Sequence, residues 1–325
     1  MRATGWLTSL TAALALMACS GLAAAADFPV KAVRLVAPAP PGSPPDVVAR
    51  LLAEPLARAF GQPVLVENRP GANQTIGLAA VAAAPADGHT LAMVSLPTAV
   101  MPSLMDSMPF DTLRDFAAVR EVAWTFNVLV VRGDGPVKTI ADLMQLAKER
   151  GGRLSFASGG NGTPAHVMGE MFRGRSGMAA LHVPFKGAAE GVNAVIAGHV
   201  EFMLASAGAV IPHLRTGRLA ALAQTSRTRL PTIPDVPTFG EAGFPEIVVR
   251  DWQGIVAPAG TPRAVLQRLS DAIGEAALRP EVRDKLRALA IEPAESSGPE
   301  PFAEFFASEV RRWGALARSA GIKAQ

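Results

Sequence analysis

Residues 153–170 read RLSFASGGNGTPAHVMGE, and the chain on either side is organised around them. Leu154 and Phe156 alternate with Ser155 as a strand end does. Gly159, Gly160 and Gly162 then permit a sharp turn, because glycine reaches positive φ at little steric cost. Thr163 followed by Pro164 predicts a helix start: a hydroxyl cap, then a residue pre-set for the first helical position. Strand, glycine turn and helix N-terminus together can hold an anion with backbone N–H groups and the helix dipole. Ser158, Asn161 and Thr163 add neutral side-chain donors, so the stretch reads as half of a site for a small carboxylate. Two other readings share the composition. One is a turn that only reverses the chain. The other is a dinucleotide turn, since residues 160–165 (GNGTPA) fit G-x-G-x-x-A. That pattern wants an acid about 20 residues later at the end of the next strand. The strand expected at 181–183 ends instead in Pro184, Phe185 and Lys186.

Upstream, strands are expected at 33–37, 64–66 and 90–95, with helices at 47–60 and 76–84 between them. Asp46 is the expected N-cap of the first helix, Pro55 should kink it, and Gly61 ends it. Downstream, strands at 127–131, 181–183, 200–204 and 218–224 alternate with helices at 139–150 and 187–197. Residues 229–237 form a rigid proline-rich loop, and 247–258 read as a strand returning to the first domain. Helices at 262–278, 281–289 and 301–320 would brace that domain. This alternation defines an α/β fold with a largely parallel sheet. Ligands in such folds sit at the carboxyl ends of strands, which leaves the loops 38–46, 95–98 and 157–163 as competing sites.

The chain has 325 residues, 49% of them hydrophobic and 18% charged, enough for about two well-filled domains. Its net charge of +3 comes from scattered residues, without the basic stripe that nucleic-acid binding needs. Arg2, the apolar run 7–18 and Ala24, Ala25 and Ala26 read as a signal peptide of residues 1–26, cleaved before Asp27 for export to the periplasm. Residues 16–19 (LMAC) resemble a lipobox; soluble export is the expectation over a lipid anchor on Cys19. Cys19 is the chain's one cysteine, so the folded part has no thiol chemistry.

No nucleophile elbow, HExxH helix, Walker loop or cysteine pair is present. The reading assigns no catalytic residue, metal or cofactor. His89 and His199 are expected at the surface, His182 in the core or at a sheet edge, and His166 paired with Glu170.

The segments RLVAPAPPG, GQPVLVENRPGA, DGHTL, MPFDTLRDFAAV, NVLVV, LSFASGGNGTPAH, HVPFKG, GRLAALAQTS, PDVPTFGEAG and APAGTP occur in this order. In this the chain resembles the Bug family, periplasmic solute-binding receptors of tripartite tricarboxylate transporters. The resemblance spans residues 27–323. It implies a two-domain Venus-flytrap of the type II periplasmic binding fold, with residues 27–127 and 250–325 in one domain and 128–249 in the other. It also implies a monomer that captures a small carboxylate between the domains and passes it to membrane permease subunits. The binding elements map onto Ala39, Pro40, Gly42, Ser43 and Asp46; Ser95 and Thr98; Ser158, Gly160, Asn161 and Thr163; and Ala205 with Ser206. The chain departs from the family at Ala39, at Ser43-Pro44-Pro45, at Thr75, and at Ala205-Ser206, where Asp-Asn is common. Asp46 is the one acid expected nearby, so a non-amino organic acid is favoured: a dicarboxylate, hydroxy acid or aromatic acid. An amino-acid receptor and an NAD(P)-binding enzyme are the alternatives.

Overall fold

The computed structural model describes residues 28–105, 107–295 and 297–319; the expected leader and Cys19 lie outside them. The first half contains β1 (Val33–Ala37), α1 (Pro44–Phe60), β2 (Val64–Asn68), a single turn (Ala72–Gln74), α2 (Thr75–Ala82), β3 (Thr90–Ser95), α3 (Leu96–Leu104) and β4 (Phe116–Arg132). The second contains α4 (Ile140–Glu149), β5 (Leu154–Ser158), α5 (Pro164–Ser176), β6 (Ala180–Pro184), α6 (Ala188–Ala197), β7 (Phe202–Ser206), α7 (Ala207–Arg215) and β8 (Leu219–Gln224). The chain then returns through β9 (Arg250–Pro258), α8 (Arg263–Leu278), α9 (Pro280–Ala288), β10 (Ile291–Pro293) and α10 (Pro299–Ser319).

Four elements differ from expectation. Helix α1 begins at Pro44 and runs through Pro55 as one element, with Gly61 at φ 63° closing it. Helices α3 and α7 were not among the expected elements, and each carries proline: Pro97 and Pro102 in α3, Pro212 in α7. Pro97 sits in the first turn, where its missing N–H removes no helical bond. Strand β4 extends eleven residues before the expected 127–131, and Arg120 and Glu121 hide it by interrupting the apolar run.

The strands pair in the order β2-β1-β3-β9-β4-β7-β5-β6, and β8 and β10 also pair with β4. β1 is parallel to β2 and β3, and β5 is parallel to β6 and β7. β9 does return to the first half, lying antiparallel between β3 and β4. Residues 116–126 of β4 pair with β9, whereas 127–132 pair with β7 and β8. One uninterrupted strand therefore belongs to both halves. β3 ends at Ser95, level with Gln253 and hence with Ala123, while β7 ends at Ser206, opposite Asn127. The carboxyl edges of the two halves thus approach each other along β4, about 13 Å apart at the usual rise of a strand.

Adjacent residues of β1 enter different cores, Leu35 beneath α1 and α8 and Val36 with α3 and α10. Both faces of the sheet are covered, which is why its strands read as near-continuous apolar runs. The closing helices brace the first half as expected. Phe302 and Phe306 of α10 pack on Trp252, and Glu309 accepts the indole N–H groups of Trp252 (2.9 Å) and Trp313 (2.7 Å).

Candidate ligand-binding site

At the carboxyl ends of β1, β3, β5 and β7 the chain turns into α1, α3, α5 and α7. Four helix N-termini therefore face the meeting edges, and their orphan N–H groups and dipoles favour an anion there. Prolines thin that supply: Pro44 and Pro45 open α1, Pro97 lies in the first turn of α3, and Pro164 opens α5. The first turn of α7, Ala207-Gly208-Ala209, keeps all its N–H groups. Gly208 is required by packing, since a Cβ there would lie 2.4 Å from the Leu289 carbonyl oxygen.

The β5–α5 loop forms as the sequence predicts, with Gly160 at φ 122° and Gly162 at φ 74°. Its side chains, however, serve the loop itself. Ser158 is fully buried; its Oγ accepts from the Gly160 N–H (3.1 Å) and lies 3.0 Å from the Gly160 carbonyl and 2.6 Å from His182 Nε2. Thr163 stands at the N-cap position, yet its hydroxyl donates back to the Gly160 carbonyl at 2.7 Å and not to the helix. The reach-back bond comes from His166, whose Nδ1 accepts from the Gly162 N–H at 3.0 Å. That bond requires a neutral ring with its proton on Nε2. His166 and His182 stack with centroids 3.8 Å apart, and burial lowers both to about 4. Glu170 does not pair with His166; it accepts two bonds from Arg173, at 2.6 and 2.8 Å. Among the described residues, Asn161 is left with no side-chain bond.

The β1–α1 loop is also tied down. Asp46 is the third residue of α1, not its N-cap, because Pro44 and Pro45 already fit the helical backbone. It is 2% exposed and accepts from the Gly42 N–H (2.8 Å), Arg50 Nε (2.9 Å) and Asn68 Nδ2 (2.8 Å). Asn68 Nδ2 also donates to the Ala39 carbonyl, and Ser43 Oγ donates to the Pro40 carbonyl. Pro40 and Gly42 are exposed, Ser43 is half-buried and Ala39 is buried.

Ser95 and Thr98 are buried and joined through Gln74, which the sequence reading overlooked. Gln74 Nε2 donates to Ser95 Oγ at 3.3 Å, and Thr98 Oγ1 donates to Gln74 Oε1 at 2.8 Å. Ala72, Asn73 and Gln74 are successive non-glycine residues at φ 43°, 52° and 78°. Such backbone persists only where its surroundings hold it, commonly at ligand sites. A Cβ on Gly162 would fall 2.7 Å from Leu104 Cδ1 and 3.9 Å from Asn73 Nδ2, so the loops of the two halves meet here. Ala205 does not belong with them; it is opposite Val128 in the core, while Ser206 is half-buried at the strand end.

A buried polar row lies where the edges meet. Ser95 is opposite Gln253, Thr125 opposite Asp251, and Asn127 opposite Ser206. Paired and alternate residues share one face of a sheet, so these six lie together. Asp251 contradicts the expectation that Asp46 is the one acid nearby. Burial pushes its carboxyl up to about 7, opposed by a hydrogen bond from the Leu96 N–H. A sequence signal existed: Thr125 and Asn127, and Asp251 and Gln253, recur at a spacing of two, which puts each pair on one face of its strand. His89 is a further correction, being buried, with Nε2 accepting from the Val30 N–H, whereas His199 is exposed as expected.

Two α/β halves joined by a shared strand, with helix N-termini around the junction, define a periplasmic binding-protein fold. A solved periplasmic transporter has the same fold at a TM-score of 0.84 and 34% identity, covering 91% of this chain and 99% of that one. The profile of the tripartite tricarboxylate transporter family receptors matches residues 48–322, and the chain belongs to that family of solute-binding receptors. Protein BugT of Bordetella pertussis is 36% identical over 323 residues, 98% of this chain and 99% of its own length. MatC of Rhodopseudomonas palustris, solved with bound malate, has a TM-score of 0.81 and 30% identity, covering 89% of this chain and 99% of that one. A second R. palustris protein, solved with adipate, has a TM-score of 0.84 and 30% identity over 91% of this chain and 99% of that one. No described helix is long and apolar enough to cross a membrane.

Proposed function

We propose that this protein captures a small non-amino organic acid in the periplasm, as a monomer, and delivers it to the permease subunits of a tripartite tricarboxylate transporter. The observation that carries this reading is the convergence of four helix N-termini on one edge, beside neutral side chains. That chemistry suits a carboxylate held without a salt bridge. The relatives solved with malate and adipate, both non-amino dicarboxylic acids, support the ligand class. Residues 27–127 with 250–325 form one lobe in this reading and 128–249 the other, and the ligand lies between them. Asn161, Ser206 and the first-turn N–H groups of α7 are the expected contacts, with Gln74, Ser95 and Thr98 supporting the opposite wall. Ser158, Thr163 and Asp46 act by fixing their loops.

Mass spectrometry of small molecules released from natively purified protein is the direct test, and a stoichiometric organic acid is expected. Thermal shift with succinate, malate, citrate, benzoate and nicotinate should give a rise that grows with concentration, by mass action. Selective stabilisation by aspartate or glutamate would overturn the non-amino reading. Micromolar NAD or NADP binding by calorimetry would overturn the receptor reading itself. For export, intact mass should place the mature N-terminus at Asp27; a diacylglycerol adduct on Cys19 would show an anchored protein.

A further inference from the structure

The buried row at the crossing of β4 and β9 holds more unmet hydrogen-bonding capacity than any other place described. Asp251 is 6% exposed, Asn127 2% and Gln253 0%. Among the described residues, Asp251 Oδ1, Asn127 Nδ2 and both Gln253 amide atoms have no partner. Buried polar groups are nearly always satisfied, so neighbouring orphans need a common explanation. Nearby protein groups are already engaged. The Leu96 N–H serves the Asp251 carboxyl, Ser95 Oγ serves Gln74, and Thr225 Oγ1 accepts from the Asn127 N–H. Asp251 and Asn127 are diagonal neighbours across the β4–β9 pair, which puts them roughly 7–8 Å apart with their Cβ atoms somewhat closer. A single oxygen between them can bond to both. The row ends at Ser206, which is half-buried.

The mixture of orphans selects the group that would complete them. An ammonium only donates, and would leave the Asn127 and Gln253 N–H groups unmet. A carboxylate only accepts, and would face the Asp251 carboxyl. A hydroxyl donates to Asp251 Oδ1 and accepts from Asn127 Nδ2 or Gln253 Nε2. We infer that Asp251, with Asn127 and Gln253, reads a hydroxyl group on the ligand, so that the protein selects a hydroxy acid over the same acid without its hydroxyl. This rests on the reading of the protein as a carboxylate receptor.

The test uses acid pairs that differ by one hydroxyl: succinate and malate, glutarate and 2-hydroxyglutarate, tricarballylate and citrate, propionate and lactate. Calorimetry on the mature wild-type protein should show the hydroxylated member of each binding pair tighter by roughly tenfold or more, the scale of one hydrogen bond to a charged group. In Asp251→Asn, which keeps the shape, the preference should shrink below roughly threefold, because a carboxylate acceptor is replaced by a neutral amide whose oxygen accepts more weakly. Asn127→Ser makes the same test from the other side of the pair if Asp251→Asn does not fold. An equal or tighter fit of the plain acids, or a preference that survives both substitutions, overturns this inference while leaving a carboxylate receptor standing. Tighter binding of aspartate than malate overturns it in favour of an ammonium. Binding of neither member of any pair, with benzoate or nicotinate bound instead, overturns this inference and leaves the receptor reading standing.

Discussion

The β5–α5 loop and the β4–β9 crossing both lie where the two halves meet, yet their polar groups are in opposite condition. In the loop, the side chains of Ser158, Thr163 and His166 bond to the backbone of Gly160 and Gly162, Ser158 also bonds to His182, and both hydroxyls are engaged. At the crossing, Asp251, Asn127 and Gln253 are as deeply buried and incompletely bonded. A loop that satisfies itself holds its shape before any ligand arrives and presents backbone N–H groups in fixed places. A row that does not satisfy itself is completed only by something added. Composition therefore points to the loop as the specific half of the site, whereas the bonding points to the crossing.

The largest expected effect separates the two regions by pH. Burial raises Asp251 to about 7, so its stabilising contribution is full below the unfolded carboxyl value and is lost as pH rises through about 7. Removing that carboxyl in Asp251→Asn should flatten this part of the stability profile, by on the order of 3–4 kcal/mol between pH 4 and 8. The histidine pair runs the other way. Both values are lowered to about 4, so its contribution is full above the unfolded value and is lost as pH falls through about 4. The melting temperature of His182→Gln should therefore fall less than that of wild type between pH 6.5 and 4. Matching pH profiles for wild type and both variants would erase the distinction between the two regions.

Ser158→Ala comes next. It strips a bond from the Gly160 N–H and from His182, and should destabilise the fold by about 1–3 kcal/mol, the usual cost of unsatisfied buried groups. Urea denaturation measures this, and an unchanged midpoint with weakened ligand binding would make Ser158 a ligand contact after all. Thr163→Val is the smallest. Losing one half-buried hydroxyl bond should lower stability by about 1 kcal/mol and leave acid selectivity as it was. A change in ligand preference among the acid pairs would return this loop to the role its composition suggests.

Much of the architecture was legible because glycine and proline mark chain reversals locally. The run 153–170 is strand, turn and helix as its residues predict, and β9 returns to the first half. Elements in which punctuation and structure disagree were not legible, such as α3 with Pro97 and Pro102. The charged pair Arg120 and Glu121 concealed the length of β4; the guanidinium is accommodated by Gly274, whose absent Cβ would lie 2.6 Å from its Cζ. The positions of the site loops followed from strand ends, but the roles of their hydroxyls did not. Whether Ser158 faces a ligand depends on His182, 24 residues away on the neighbouring strand. Asp251 and Gln253 lie inside the run read as a returning strand, where their spacing of two places both on one face.

The docking of α10 on the crossing has an optical consequence. The chain contains no tyrosine and four tryptophans, of which Trp6 lies outside the described residues. The other three sit together: Trp124 is paired across strands with Trp252, and Trp252 shares Glu309 with Trp313. The Arg250 guanidinium stands 4.7 Å from the Trp124 ring centroid, and Asp251 and Gln253 flank Trp252 in sequence. Near-ultraviolet emission from the described residues thus originates where the shared strand β4 meets β9 and α10. An unlabelled sample reports, through its own colour and intensity, what happens to that strand when an acid is added.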